Sequence, residues 1–187
     1  WLEIHNTSDA VWALSNEAVR GLVGLFDAVP YDMMRMYGKR CRAGCKHISY
    51  DRGYRFAGSD HPPAGAPPPE LAKVRAWVRE HYPLHNQMLV NGYFETADGW
   101  DKLGPHRDNE RGLDPAQPIL SFSYGHTRKF GVYRLSNKKI ESYDAAHNTL
   151  MIMGGTFNQR FKHGILPAAK RTPPTGPRIN VTFRAFK

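Results

Sequence analysis

Residues 178–184 read Arg178-Ile179-Asn180-Val181-Thr182-Phe183-Arg184, and the alternation in this run sets the reading of the whole chain. Successive side chains of a strand point to opposite faces. Ile179, Val181 and Phe183 therefore share an apolar face that has to be covered, while Arg178, Asn180, Thr182 and Arg184 share a polar one. A solvent-exposed sheet surface would show the same pattern. Two guanidinium groups with an amide and a hydroxyl between them would equally form a clamp for a dicarboxylate, because guanidinium pairs with carboxylate through two parallel hydrogen bonds.

Upstream of this run, from residue 86 onward, further strand candidates follow one another: Gln87 to Tyr93, Ile119 to Tyr124, Lys129 to Leu135, Thr149 to Met153 and His163 to Leu166. Gly, Asn, Asp and Pro separate them, as expected of turns. The N-terminal part reads differently. Val19, Leu22, Val23 and Phe26 recur at helical spacing within residues 16–27, which Pro30 closes off, and Leu71, Val74, Trp77 and Val78 mark a second helix over Glu70 to His81. Between them, His47 to Tyr50 and Gly53 to Ala57 are short extended stretches, and DHPPAGAPPP (residues 60–69) is a stiff, Pro-rich surface connection. Helices first and many short strands afterwards imply an α+β chain with helices packed on an antiparallel sandwich or barrel. The 187 residues suit a single domain, with residues 1–85 supplying the helical part and residues 86–187 the β core.

Composition narrows the partners. Lys and Arg number 26 against 17 acids, a net charge of +9, which suits a polyanion such as nucleic acid as well as it suits a merely basic soluble enzyme. No apolar run reaches membrane-spanning length and no signal-peptide pattern is present. The chain begins at Trp1 rather than Met, so missing targeting signals say little about the parent protein. Cys41 and Cys45 are too few for a disulfide scaffold and fit a reducing compartment. With His47 they would supply three zinc ligands, but a fourth ligand and a second cysteine pair are missing, so free thiols are expected.

One tripeptide carries chemistry. In His106-Arg107-Asp108, an extended backbone would aim the imidazole and the carboxylate at one point, since residues i and i+2 share a face. His163, in FKHGI, would complete a set of two histidines and one carboxylate, which leaves adjacent open positions on a non-haem Fe(II). Alone, an HxD tripeptide is as well explained by a polar loop with a capping aspartate.

HRDNE (106–110), FKHGI (161–165) and RINVTFR (178–184), in this order and spacing, resemble the AlkB family of Fe(II)- and 2-oxoglutarate-dependent nucleic-acid dealkylases. The resemblance covers about residues 36–186 and is strongest toward the type that repairs duplex DNA, the human AlkB homologue 2 type. It implies a double-stranded β-helix (jelly-roll) core with N-terminal helices packed on the sheet and a nucleotide-recognition lid. It implies that His106, Asp108 and His163 are the catalytic iron ligands. Asn91 and Tyr93, in LVNGYF, match the family's pair that contacts 2-oxoglutarate; Arg178 would hold the distal carboxylate, and Asn180 and Arg184 the end that chelates iron.

The same resemblance assigns the substrate contacts. YGKRCRAGCKHISY (37–50) aligns with a duplex-probing finger, with Tyr37 as the wedge that fills the gap left by an extruded base. GYRFAG (53–58) is similar to the recognition lid, where Phe56 would stack on the flipped base and Tyr54 contact the nucleotide. Glu110 would favour cationic methylated bases. Lys39, Arg40, Arg42, Lys46, Arg128, Lys129, Lys138 and Lys139 would contact phosphates. Three departures from the family pattern stand out: Asn109 replaces a second aspartate, Ala57 replaces a serine, and the segment between Tyr133 and Thr149 is short where the duplex type extends a basic loop.

The implied activity is oxidative demethylation of 1-methyladenine and 3-methylcytosine in DNA, releasing formaldehyde and succinate. RNA or single-stranded nucleic acid as substrate, or a catalytically silent nucleic-acid-binding module on the same scaffold, are the alternatives. The implied setting is a monomer inside the cell, in the nucleus of a eukaryote and otherwise in the cytoplasm.

Overall fold

A computed structural model of the chain describes residues 1–36, 38–56, 59–169 and 173–187. Tyr37 lies outside these, as does Ala57. In chain order the strands are β1 (Leu2–Asn6), β2 (Met33–Met36), β3 (Lys39–Arg42), β4 (Lys46–Tyr50), β5 (Tyr54–Phe56), β6 (Ser59–His61), β7 (Gln87–Tyr93), β8 (Glu95–Thr96), β9 (Gly99–Trp100), β10 (Leu103–His106), β11 (Ile119–Gly125), β12 (Arg128–Arg134), β13 (Lys139–Ala145), β14 (Thr149–Met153), β15 (Phe161–Ile165) and β16 (Arg178–Arg184). The helices are α1 (Asn16–Gly24), α2 (Pro69–His81) and the short α3 (Gly155–Arg160).

Six strands form a major sheet in the order β1-β14-β11-β16-β7-β4, and four form a minor sheet in the order β10-β15-β12-β13, with antiparallel neighbours in both. This is the antiparallel sandwich expected from the strand pattern, in the jelly-roll form that the family resemblance implies. Helices α1 and α2 cover the outer face of the major sheet. Val19 and Leu22 from the first, Phe26 from the turn after it, and Leu71, Val74 and Val78 from the second pack with Phe122, Ile179, Val181 and Phe183 of the sheet. A second apolar cluster, including Phe130, Val132, Met151, Met153, Phe157 and Ile165, fills the space between the two sheets. The central strands are thus covered on both sides, and every residue of β7, β14 and β16 is buried. A fully buried Val, Leu or Phe side chain stabilises by roughly 1.5–3 kcal/mol, so these two clusters dominate the fold.

Local chemistry explains the element ends. Ser15 caps α1 by accepting a hydrogen bond from the Ala18 amide at 3.1 Å. The helix stops at Gly24, three residues short of the sequence expectation, because residues 25–27 tighten into i→i−3 bonds. Pro69 in the first turn of α2 needs no amide partner, and Arg75 and Arg79 on the exposed side of that helix meet Asp51 at 2.7 and 3.1 Å.

The division of the chain at residue 85 does not divide the sheet. β1 and β4, from the N-terminal part, form the two edges of the major sheet. Both are short and mixed in composition, so their pairing comes from the partners β14 and β7 rather than from their own periodicity. The Pro-rich connection also begins later than read from the sequence: Asp60 and His61 belong to β6, which pairs with β5.

Gly164 is required where β15 meets β10. A Cβ there would collide with the carbonyl oxygens of Leu103 and Gly104. The close approach, with a register shift between Leu103 and His106, sets His106 directly opposite His163. Gly164→Ala is expected to destabilise the chain by about 1–3 kcal/mol through overpacking. Urea denaturation measures it, and an unchanged midpoint would show that the two strands yield without cost.

Candidate active site

Strand β16 enters the sheet with its polar face toward the minor sheet, and its neighbours extend that polar row. Asn180 lies opposite Asn91 on β7 and Ser123 on β11; Arg178 lies opposite Tyr93 and Gly125. Asn180 donates to Ser121 Oγ at 2.9 Å and to the Phe122 carbonyl at 2.8 Å, and Thr182 donates to Asn180 Oδ1 at 3.1 Å. Arg178 donates to Ser123 Oγ at 2.9 Å and its guanidinium lies 5.0 Å from the centre of the Tyr93 ring. Ser121 and Ser123 were passed over in the sequence, although the alternation in Leu120-Ser121-Phe122-Ser123 places both on the face that carries Arg178 and Asn180.

The buried row surrounds an incompletely satisfied cation. Arg178 is almost fully buried, and its Nε and Nη1 have no hydrogen-bond partner among the described residues. Burial pulls its pKa below the ordinary arginine value, and nearby Arg128 adds to the effect. A guanidinium left in that state calls for an anion.

At the mouth of the sandwich, His106 at the end of β10, Asp108 just beyond it and His163 on β15 converge. Their ligand atoms all lie within 4.8 Å of one another. His106 Nε2 is 3.8 Å from Asp108 Oδ1, and His163 Nε2 is 3.9 Å from Asp108 Oδ2. The Nδ1 of His106 is 3.0 Å from the Gly104 carbonyl, a contact that fixes the ring with Nε2 turned to the cluster. His163 stacks on Phe130 at a centroid distance of 5.4 Å. Burial, with the charges of His106 and Arg184, pushes the His163 pKa down to about 3, so it is a neutral imidazole at neutral pH. Burial by itself would raise the Asp108 pKa, but Arg184 and the two imidazoles outweigh it and hold the carboxyl ionised. Two imidazole nitrogens and one carboxylate are the donor set of a non-haem Fe(II) centre, and they fit such an ion.

Two further groups fasten Asp108. Asn158, on α3, accepts from the Asp108 amide at 3.1 Å and donates to the Asp108 carbonyl. Arg184 Nη2 lies 3.5 Å from Asp108 Oδ1, while Nη1 donates to Glu110. Nothing in the sequence signals the role of Asn158, because the contact joins residues 50 positions apart. Glu110 is therefore tied to Arg184 through one oxygen, and its buried Oε2 has no partner among the described residues.

The triad, the buried row and the two aromatic residues of β5 open onto one cavity of about 710 Å³. Tyr54 and Phe56 on β5 stack on each other, with ring centroids 6.0 Å apart and planes 15° from parallel, and both line this cavity. The Arg184 guanidinium sits 5.6 Å from the Tyr54 ring centre. Of the site residues expected from the sequence, Asn91, Tyr93, Tyr54, Phe56, His106, Asp108, Glu110, His163, Arg178, Asn180 and Arg184 line one space. Tyr37 lies outside the described residues.

Several expected phosphate contacts are corrected. Arg128 is buried and donates to the carbonyls of Asp101 and Leu166 at 2.7 and 3.0 Å. Arg42 pairs with buried Asp101 at 2.8 Å and packs over the Tyr31 ring, and Lys46 donates to the Phe26 carbonyl. The charge of these three residues is used within the fold because Asp101 and nearby carbonyls reach them, which their sequence positions did not show. Lys129 is exposed and meets the exposed Asp144 at 2.7 Å. Lys39, Arg40, Lys138 and Lys139 remain exposed. Cys41 and Cys45 are free thiols and His47 turns to other partners, so no zinc set forms from these three. Burial pushes the Cys45 thiol up to about 12, which makes it unreactive.

With this geometry in hand, sequence comparison assigns the class. The model of the 2OG-Fe(II) oxygenase superfamily matches residues 15–184, and the chain belongs to that superfamily. Fe(II) and 2-oxoglutarate are its cofactor and cosubstrate. Within it the similarity is to AlkB proteins. The chain is 34% identical over 164 residues to the mouse DNA oxidative demethylase ALKBH2, covering 81% of this chain and 65% of that protein. It is 37% identical over 108 residues to the human DNA oxidative demethylase ALKBH2, covering 53% and 39% of the two chains. It is 32% identical over 141 residues to the alpha-ketoglutarate-dependent dioxygenase AlkB homolog of Caulobacter vibrioides, covering 71% and 61%. The chain thus spans less than two thirds of the length of these relatives. A solved structure titled "The structure of OsALKBH1" superposes with a TM-score of 0.57 at 18% identity, covering 98% of this chain and 97% of that one, and shares the fold.

Asn158→Ala is expected to weaken Fe(II) or Co(II) binding at the triad by about 10–100-fold while leaving a cooperative thermal transition. Metal titration of the two proteins decides it, and equal affinities would show that Asn158 does not position Asp108.

Proposed function

We propose that this chain oxidatively removes N-methyl groups from bases in nucleic acid, with 1-methyladenine and 3-methylcytosine in DNA as substrates. The observation that carries the proposal is the convergence on one cavity of three groups. These are a His-Asp-His set, a buried arginine short of an anion, and a stacked pair of aromatic rings.

In this reading His106, Asp108 and His163 hold Fe(II). Arg178 takes the distal carboxylate of 2-oxoglutarate through the donors it has to spare, with the Tyr93 ring against its guanidinium and Asn91 beside it. Asn180 and Arg184 orient the end of the cosubstrate nearest the triad. Bound iron and 2-oxoglutarate would, with dioxygen as oxidant, supply the chemistry: one oxygen atom ends in succinate as 2-oxoglutarate loses carbon dioxide, and the other goes to the N-methyl carbon, which leaves as formaldehyde.

The remaining work belongs to the chain. Arg184 keeps Asp108 ionised and ties Glu110 to the same spot. The partnerless Oε2 of Glu110 suits a cationic methylated base, which would restore its charge balance. Tyr54 and Phe56 offer a platform for an extruded base, and stacking of that kind contributes about 1–3 kcal/mol per base. Exposed Lys39, Arg40, Lys138 and Lys139 supply phosphate contacts, which makes binding salt-sensitive.

A preference for single-stranded nucleic acid or RNA is the second reading. The observation favouring it is the tight β12–β13 turn, closed by a hydrogen bond from the Arg134 amide to the Lys138 carbonyl, which leaves no extended loop there to grip an opposite strand.

The test incubates the protein with Fe(II), ascorbate, 2-oxoglutarate and methylated oligonucleotides as single-stranded DNA, duplex DNA and RNA, and follows methyl loss by mass spectrometry. Turnover is expected in the unaltered chain and its abolition in Asp108→Ala. Consumption of 2-oxoglutarate without methyl loss would retain the oxygenase and remove the substrate class. Arg178→Lys is expected to raise KM for 2-oxoglutarate by about tenfold to a hundredfold, the equivalent of one charged hydrogen-bond pair. An unchanged KM would place the distal carboxylate elsewhere.

A further inference from the structure

We propose that Asp32, His47 and His61 form a second metal site, separate from the triad, that takes a divalent ion of the zinc type and pins the β5–β6 hairpin to the major sheet. The three residues come from the segment before β2, from edge strand β4 and from the last position of β6, and their ligand atoms lie within 4.8 Å of one another. His47 Nε2 is 2.8 Å from Asp32 Oδ2, and His61 Nε2 is 3.3 Å from Asp32 Oδ1.

Three features favour an ion over a plain hydrogen-bonded cluster. First, neither Nε2 meets the carboxylate in hydrogen-bonding alignment: both nitrogens are buried and have no hydrogen-bond partner among the described residues. Second, the ion pairs found for Asp32 among the described residues are to these two imidazoles, with no Lys or Arg within 4.0 Å. Third, the spacing suits the chemistry. Ligands held about 2.0–2.1 Å from a tetrahedral zinc ion lie about 3.3 Å apart; His61 Nε2 is 3.3 Å from Asp32 Oδ1, while His47 Nε2 approaches the other carboxylate oxygen at 2.8 Å, so small side-chain shifts would seat an ion among the three.

The site is also reachable. The side chains of Asp32 and His61 are 16% and 27% exposed, which leaves a fourth position for water. Two imidazoles and one carboxylate bind first-row divalent ions in general, and zinc most readily in a four-coordinate form.

The ion would act on the lid mechanically. His47 is held edge-on to Tyr54 and Phe56, with ring centroids 5.4 and 5.0 Å apart, and His61 closes the strand paired with theirs. Metal binding would fix the end of the hairpin that carries both aromatic rings. This claim stands whether or not the chain demethylates bases.

The experiment uses the full chain in which His106→Ala and Asp108→Ala remove the triad, with and without His61→Gln. Each protein is titrated with Co(II), followed by visible absorption, and its zinc content is measured after desalting. The triad-free chain is expected to retain about one equivalent and to show four-coordinate Co(II) bands, both lost with His61→Gln. Asp32→Asn serves as the second variant should His61→Gln alter the fold, as judged by circular dichroism. Absence of retained metal in the triad-free chain would overturn the proposal in favour of a hydrogen-bonded cluster. Retention that ignores both substitutions would overturn it in favour of a different location.

Discussion

Strand β16 is covered on both faces yet carries two arginines, and the interior of the protein is arranged around that conflict. Its apolar face is covered by α1 and α2, which leaves the opposite face inside the sandwich. A buried guanidinium is costly unless it is paired and hydrogen-bonded. Arg184 meets that demand through Asp108 and Glu110, which raise its pKa above the ordinary value despite burial. Arg178 meets it in part through Ser123 and the Tyr93 ring. Arg184 has carboxylate partners and Arg178 has none among the described residues, and this difference separates the His106-Asp108-His163 end of the cavity from an end short of an anion.

The Arg184–Asp108 pair belongs to the first of these ends. Asp108 is ionised because Arg184 and two imidazoles oppose the effect of burial, and it is held in place because Asn158 grips its backbone from α3. Removing one partner of such a buried pair typically costs about 3–5 kcal/mol, since the other charge is left uncompensated. Glu110 and Asp108 share the same guanidinium, so under the proposed function substrate and metal ligand would be coupled through one side chain. A base that drew Glu110 toward itself would change what Arg184 offers Asp108.

The same principle accounts for the basic residues. A net charge of +9 is a property of the whole chain, but Arg42 and Arg128 are consumed by buried Asp101 and by backbone carbonyls. Tyr31 joins that cluster through a 2.7 Å bond to Asp101. Charge counted along a sequence overstates the charge presented to a partner, because burial selects some of it for internal pairing.

Periodicity made much of the fold legible. The alternation in RINVTFR, the apolar spacing of the two helices and the turn residues between strands are local, and local sterics decide which face a side chain occupies. The strands read as Gln87–Tyr93 and Thr149–Met153 have those bounds in the fold. The alternating strand put the arginine row on one face before any partner is known, and HRDNE, FKHGI and RINVTFR together, through the family resemblance, pointed to His106, Asp108 and His163, which the fold brings together. Edge strands β1 and β4 were less legible, since their pairing is fixed by the strands beside them. The grip of Asn158 on Asp108, the register shift that sets His106 against His163, the withdrawal of Arg128 from the surface, and the meeting of Asp32, His47 and His61 were not legible at all. Sequence by itself determined which groups each strand presents and to which side. Only the tertiary structure decided which of them meet, because contacts between residues far apart in the chain depend on sheet order and register, which no single segment encodes.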